Sequence, residues 1–145
     1  MSSTNKFITK SDEQEIIKAI QTAENSTSGE IRVHIEANCP DAVFDRAKTI
    51  FEELKMDETQ LKNGVLIYLA AEDHKFYIMG DSGIDKVVPD NFWESTKDIM
   101  QALFKQGRFK QGLVDGILKA GEQLKKHFPV AEDDINELSD EISRG

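Results

Sequence analysis

A chain of 145 residues falls in the range of one domain, and its longest apolar run, the seven residues Val65 to Ala71, is far short of the roughly 20 that span a bilayer. Lysine and arginine total 18 against 27 aspartates and glutamates, a net charge of -9 that repels phosphate backbones and excludes nucleic acid as a natural partner. One cysteine, Cys39, cannot form an internal disulfide, and the polar N-terminus lacks the apolar stretch of a secretory signal, so the expectation is a soluble cytoplasmic protein with no membrane insertion.

Residues 1–10 read as a polar N-terminal extension. Ser11 and Gln14 have capping-box spacing, and Ile16, Ile17, Ile20 and Ala23 recur at helical intervals, which predicts a first helix over about 12–25. From Glu30 to Glu36 the apolar Ile31, Val33 and Ile35 alternate with Arg32, His34 and Glu36, the period of a strand buried on one face, expected at a sheet edge. Pro40 and Asp41 open a second helix with a stripe of Val43, Phe44, Ala47, Ile50, Phe51 and Leu54. Val65 to Ala71 is a strand covered on both faces, and Glu72-Asp-His-Lys75 turns it into a hairpin with Phe76 to Met79. After Gly80-Asp-Ser-Gly83 the pattern is helical: a short turn at Ile84 to Val88, then helices through Trp93 to Phe104 and Leu113 to Leu124, ended by Phe128-Pro129. Residues 11–129 form the predicted domain. Residues 130–145, with six acids against Arg144 from Ala131 onward, are expected to be an acidic appendage in which Ile135, Leu138 and Ile142 keep near-helical spacing.

The fold class is therefore α/β, a small mixed sheet with a parallel pair and an antiparallel hairpin strand, flanked by helices. The helix-linked strands should be parallel and the hairpin strand antiparallel, which sends specific loops to opposite ends of the sheet. A six-residue strand is about 20 Å long, so Glu30 and Glu36 belong to separate candidate sites.

At the first end, Glu30, Asp81, Asp85 and Asp90 can meet, with Ser28, Asn63 and Ser82 as neutral oxygens. Hard oxygen donors suit calcium or magnesium. With Gly29, Gly64, Gly80 and Gly83 among them, these loops also read as turn glycines with acidic caps, and no EF-hand spacing is present. At the second end Glu36, Asp73 and His74 lie near Asp41 or Asp45, outside the carboxyl ends of the parallel strands, where open sheets often bind ligands. His34, His74 and His127 sit on different elements and make no zinc triad. Cys39 precedes Arg46 by six intervening residues without a glycine, which does not fit the thiol-phosphatase loop, so no covalent nucleophile is expected.

Asn63-Gly-Val-Leu-Ile-Tyr-Leu-Ala70, the hairpin with Asp73, the Gly80-to-Gly83 turn, Val88-Pro-Asp90 and Phe104-Lys-Gln-Gly-Arg-Phe-Lys-Gln-Gly112 together resemble the TPM domain family, over about Ser11 to Phe128. The resemblance is to its short soluble bacterial branch, whose ending is similar to Asp134-Ile-Asn-Glu-Leu138. It implies a three-layer α/β/α domain with a Rossmann-like outline and a divalent metal in an acidic cleft. It also implies the acid-phosphatase activity attributed to thylakoid-lumen members, and partners among proteins, membrane-associated ones included. Where many relatives carry an aromatic residue in the Gly-x-x-Gly turn, this chain has Asp81. The residues favour a calcium- or magnesium-binding interaction or quality-control module; the alternative is a metal-dependent phosphomonoesterase, which needs a basic phosphate clamp for which Lys62, Lys75 and Lys86 are the only nearby candidates.

Overall fold

The computed structural model describes residues 7–130 and 139–144. Helix α1 (Lys10–Glu24) starts two residues earlier than its spacing suggests, because Thr9 is the cap. Thr9 Oγ1 accepts from the Asp12 amide and Asp12 Oδ2 from the Thr9 amide, each at 3.1 Å, a reciprocal pair that satisfies two of the first-turn donors. Strand β1 (Glu30–Glu36) follows, then α2 (Val43–Glu53), a 3-10 turn at Met56–Glu58, and the hairpin β2 (Gly64–Ala70) and β3 (Lys75–Gly80). The chain continues as α3 (Ser82–Asp85), α4 (Glu94–Lys105), α5 (Phe109–Leu124) and a two-residue strand β4 (Ser143–Arg144).

The sheet order is β3-β2-β1-β4. β1 pairs parallel with β2, Glu30 opposite Gly64 through Glu36 opposite Ala70, and β3 pairs antiparallel with β2. The expected edge strand is interior: β4 runs parallel to β1 on its far side, with His34 opposite Ser143 and Ile35 opposite Arg144. Nor is β1 buried on one face only, since Glu30, His34 and Glu36 are each about 4% exposed. Alternation of polar and apolar residues normally reports a wet face; here Glu36 is enclosed and pairs with Arg46 of α2 and with His34.

One core lies where Ile31, Val33 and Ile35 of β1 and Val65, Ile67 and Leu69 of β2 meet α1, α4 and α5. The other packs Leu66, Tyr68 and Ala70 of β2 under Ala47, Ile50 and Phe51 of α2. Each fully buried aliphatic side chain contributes about 1.5–3 kcal/mol by leaving water, and two such layers explain why β2 is apolar throughout. α4 ends in a Schellman turn: the Gly107 amide donates to Phe104 O and the Arg108 amide to Leu103 O, both at 3.0 Å, with Gly107 at φ +75°. A Cβ on Gly112 would sit 2.5 Å from the Phe104 ring and one on Gly116 2.5 Å from Met100 Sδ, so α5 crosses α4 at a spacing only glycine permits.

Ile142 is buried in the first core and Arg144 pairs with Glu13 at 2.9 Å, so the end of the acidic 130–145 segment is docked on the sheet. The expectations for Ile135 and Leu138, for Asp134 to Leu138 and for most of the 1–10 extension lie outside the described residues. Among the described residues no helix is long and apolar enough to cross a membrane.

Candidate functional site

The first end of the sheet assembles from three loops. The Glu30 amide donates to Asn63 O at 3.2 Å, Asn63 Nδ2 to Ser28 O at 3.1 Å, the Asp81 amide to Gly64 O at 2.9 Å and the Gly83 amide to Lys62 O at 2.8 Å. Asp81 therefore continues the β2–β3 register by one residue, opposite Gly64, which itself lies opposite Glu30. Glu30 and Asp81 flank a glycine on one face of the sheet, two strand spacings or about 9–10 Å apart at Cα.

Asp81 caps α3, with Oδ1 accepting from the Ser82 amide at 2.7 Å. Its Oδ2 is buried and has no hydrogen-bond partner. Burial, and then the charge of Asp81, raise the pKa of Asp85. Gly83 sits between these two carboxyl groups and against the preceding loop: a Cβ there would lie 2.3 Å from Leu61 O and 2.5 Å from Lys62 O. Two carboxylates and two carbonyl-bearing residues thus crowd one turn. Asp90 stands elsewhere, on the wall of a cleft beside Trp93 and Glu94. Among the described residues no three His, Cys, Asp or Glu side chains stand close enough to hold a metal by themselves. A cation at this turn needs carbonyl or water oxygens besides Asp81 and Asp85, an ordinary arrangement for calcium.

The second-end residues do not converge. Glu36 is buried, and Arg46 forks onto it, Nε to Oε2 and Nη2 to Oε1, both at 2.8 Å. Tyr68 Oη donates to Glu36 Oε2, and His34 Nε2 lies 3.1 Å from Oε1. Burial opposes its ionisation, yet the bonds from Arg46, Tyr68 and His34 together outweigh it and hold the Glu36 carboxyl down at about 2. Burial lowers the pKa of His34, against the pull of Glu36. Burial, then the bond to Glu36, raises Tyr68. Asp73 is a brace: Oδ1 accepts from Asn38 Nδ2 at 2.9 Å and Oδ2 from the Cys39 amide at 2.7 Å, tying the hairpin to the β1–α2 loop, and these bonds lower its pKa. Asp41 and Asp45 are exposed on the approach to α2 and in its first turn, and His74 is exposed in the hairpin at φ 55°. The half-buried Cys39 thiol donates to Asp41 O at 3.0 Å.

A family model described as the TPM domain matches residues 2–123. The chain belongs to the TPM domain family. The solution structure of BA42, a protein from the psychrophilic bacterium Bizionia argentinensis, is 56% identical, covers all of both chains and superposes with a TM-score of 0.92. Two more distant solution structures share the fold. One is the N-terminal domain of a protein from P. gingivalis, at 18% identity, a TM-score of 0.69 and coverage of 84% of this chain and 79% of that one. The other is the N-terminal domain of the cg2496 protein from Corynebacterium glutamicum, at 14%, 0.60, and 93% and 79%. A comparison with curated proteins finds no match.

Within this TPM domain, sequence reasoning missed two polar groupings. The His34–Glu36–Arg46–Tyr68 network was divided between a strand read as half-solvated and a helix read for its apolar stripe. Its only sequence signal is that three polar residues alternate on β1 while an acid-pairing arginine sits on the next helix. The second is at the end of α1, where Glu24 Oε2 accepts from the Ile31 amide at 3.2 Å. Burial, followed by the adjoining Asp140 carboxyl, pushes Glu24 up to about 9. Sequence offers no signal for that encounter, because the two acids are far apart along the chain.

Proposed function

We propose that this TPM domain is an interaction module that binds a divalent cation, calcium or magnesium, at the Asp81–Asp85 turn. One observation carries the reading: Asp81 Oδ2 is withdrawn from water without a donor, beside a second carboxyl whose ionisation it opposes. An unpaired buried carboxylate oxygen costs free energy that a cation relieves, and every donor at the turn is a hard oxygen. Asp81 and Asp85 would hold the ion, with Glu30 acting on it across Gly64. A bound ion would supply charge neutralisation and polarisation of an oxygen ligand. The phosphomonoesterase alternative draws less support, since Lys62 Nζ donates to Asp57 O rather than being kept for a substrate phosphate.

The test is the melting temperature of chelator-stripped protein at rising calcium and, separately, magnesium. A ligand bound only by the native state adds about 2.7 kcal/mol at a hundredfold excess over its dissociation constant. Asp81→Asn should abolish most of the shift and Asp73→Asn should leave it. If saturating ion moves no melting temperature, the cation site is lost. Metal-dependent hydrolysis of a phosphomonoester that survives Cys39→Ser but not Asp81→Asn would bring the phosphatase alternative forward.

A further inference from the structure

The β3 edge of the sheet is open. In an antiparallel pair, residues alternate between exchanging both backbone bonds with the partner and turning them outward. The Asp81 amide bonds to Gly64 O, so Met79, Tyr77 and Lys75 face β2, while Phe76 and Ile78 turn their N–H and C=O groups away from it. Among the described residues nothing pairs with those groups. Edges of this kind are usually guarded by lysine, proline or a bulge; β3 has Lys75 at its start and no guard between Phe76 and Gly80.

Beside this edge lies a cleft of about 460 Å³ between β3 and α4. Phe76, Tyr77 and Ile78 all line it. Consecutive strand residues point to opposite faces, so the surface they share is the strand edge itself. Trp93 forms part of the far wall, and Asp90, Glu94 and Asp98 against Lys97 give the cleft a surplus of two negative charges. None of those four side chains has an ion-pair partner among the described residues.

We propose that the β3 edge and its cleft receive an extended segment of a partner protein that carries lysine or arginine, added as a fifth strand. Backbone bonds to Phe76 and Ile78 supply affinity, and the carboxylates of α4 and Asp90 select the basic side chains. A second copy is the poorer occupant, because pairing two β3 edges would bring both sets of carboxylates to one groove. The surface shares no residue with the Asp81–Asp85 turn, and it names the partner chemistry of the interaction role while standing apart from the ion.

A capped peptide of about seven residues alternating valine and lysine is titrated into isotope-labelled protein in the presence of chelator. Absence of the ion then tests this surface alone. Shifts should cluster at Phe76, Ile78 and the Trp93 indole, and exchange of the Phe76 and Ile78 amides should slow. The double change Glu94→Lys, Asp98→Lys, on an exposed helix face, should weaken binding about tenfold or more with the melting temperature unchanged. Replacing the peptide lysines by glutamate, or N-methylating alternate peptide bonds, should abolish binding. Equal binding of either altered peptide, shifts away from β3 and α4, or no shift at all overturns the proposal. Concentration-dependent protection of the β3 amides without peptide overturns it in favour of a second copy.

Discussion

Ser143 Oγ meets His34 Nδ1 at 2.9 Å, across the short parallel pairing of β4 with β1. Through His34 this contact reaches Glu36, Arg46 and Tyr68, so the end of the chain is wired to the buried charge beneath α2. Removing residues 139–145 should therefore destabilise the domain. Ile142, 9% exposed, accounts for about 1.5–3 kcal/mol of burial, and the lost strand leaves β1 an open edge. The Arg144–Glu13 pair, partly exposed, adds at most about 1 kcal/mol. A melting temperature lower by about 5 °C or more is expected by circular dichroism. Ser143→Ala alone should cost about 1 kcal/mol. An unchanged transition in the shortened chain would make residues 130–145 an appendage after all.

Arg46→Met should cost about 3 kcal/mol at neutral pH, since it leaves a buried carboxylate without its cation. Because Glu36 has its pKa depressed from 4.5 to about 2, its contribution is present above 4.5 and disappears as pH falls through about 2. Urea denaturation from about pH 7 down to pH 2 should show that loss in the parent protein. In Arg46→Met the acid-dependent limb should move to higher pH, as Glu36 then gains a proton more readily. A variant with the parent's pH profile would mean that Tyr68 and His34 suffice.

Glu24 has the opposite sign. With its pKa raised from 4.5 to about 9, the native state is not penalised below 4.5 and loses stability as pH climbs from there toward 9. Glu24→Gln keeps an acceptor for the Ile31 amide and a donor for Asp140 while abolishing the titration. It should match the parent near pH 4.5 and exceed it at pH 8 by about 1–2 kcal/mol, a figure discounted because Glu24 is only half-buried. Parallel denaturation curves at the two pH values settle the matter; equal stability at pH 8 would show that Glu24 ionises freely there.

Gly83→Ala and Gly107→Ala separate two reasons for glycine. At Gly83 the obstacle is the backbone of Leu61 and Lys62, 2.3 and 2.5 Å from a Cβ, so the turn must move at a cost of about 2–3 kcal/mol, and the calcium-induced shift in melting temperature should shrink with it. At Gly107 the space is open and only φ +75° resists, worth about 1 kcal/mol, with the calcium response intact. Equal calcium responses in the two variants would detach the ion from the turn.

Period and punctuation in the sequence were enough for the order of helices and strands from α1 through α5, the parallel pair with its antiparallel hairpin, and the convergence of Ser28, Asn63, Gly64 and Asp81 at one end of the sheet. Those features depend on near neighbours and on strand direction, and both are written locally: alternation marks β1, the unbroken apolar run marks β2, and a short polar loop forces β3 to return. Tertiary structure decided what covers each surface. Arg32, His34 and Glu36 alternate as a solvated face would, and only the placement of Arg46 and Tyr68 shows that Glu36 is buried and paired. Burial depends on which distant element arrives, and a carboxylate reads the same in sequence whether it meets water or a guanidinium. Ser143 and Arg144, which turn an expected edge strand into an interior one, carry no local strand signal; their pairing is supplied by the unmatched backbone groups of β1. The same physics leaves the β3 edge open at the other side of the sheet, where no segment among the described residues arrives to close it.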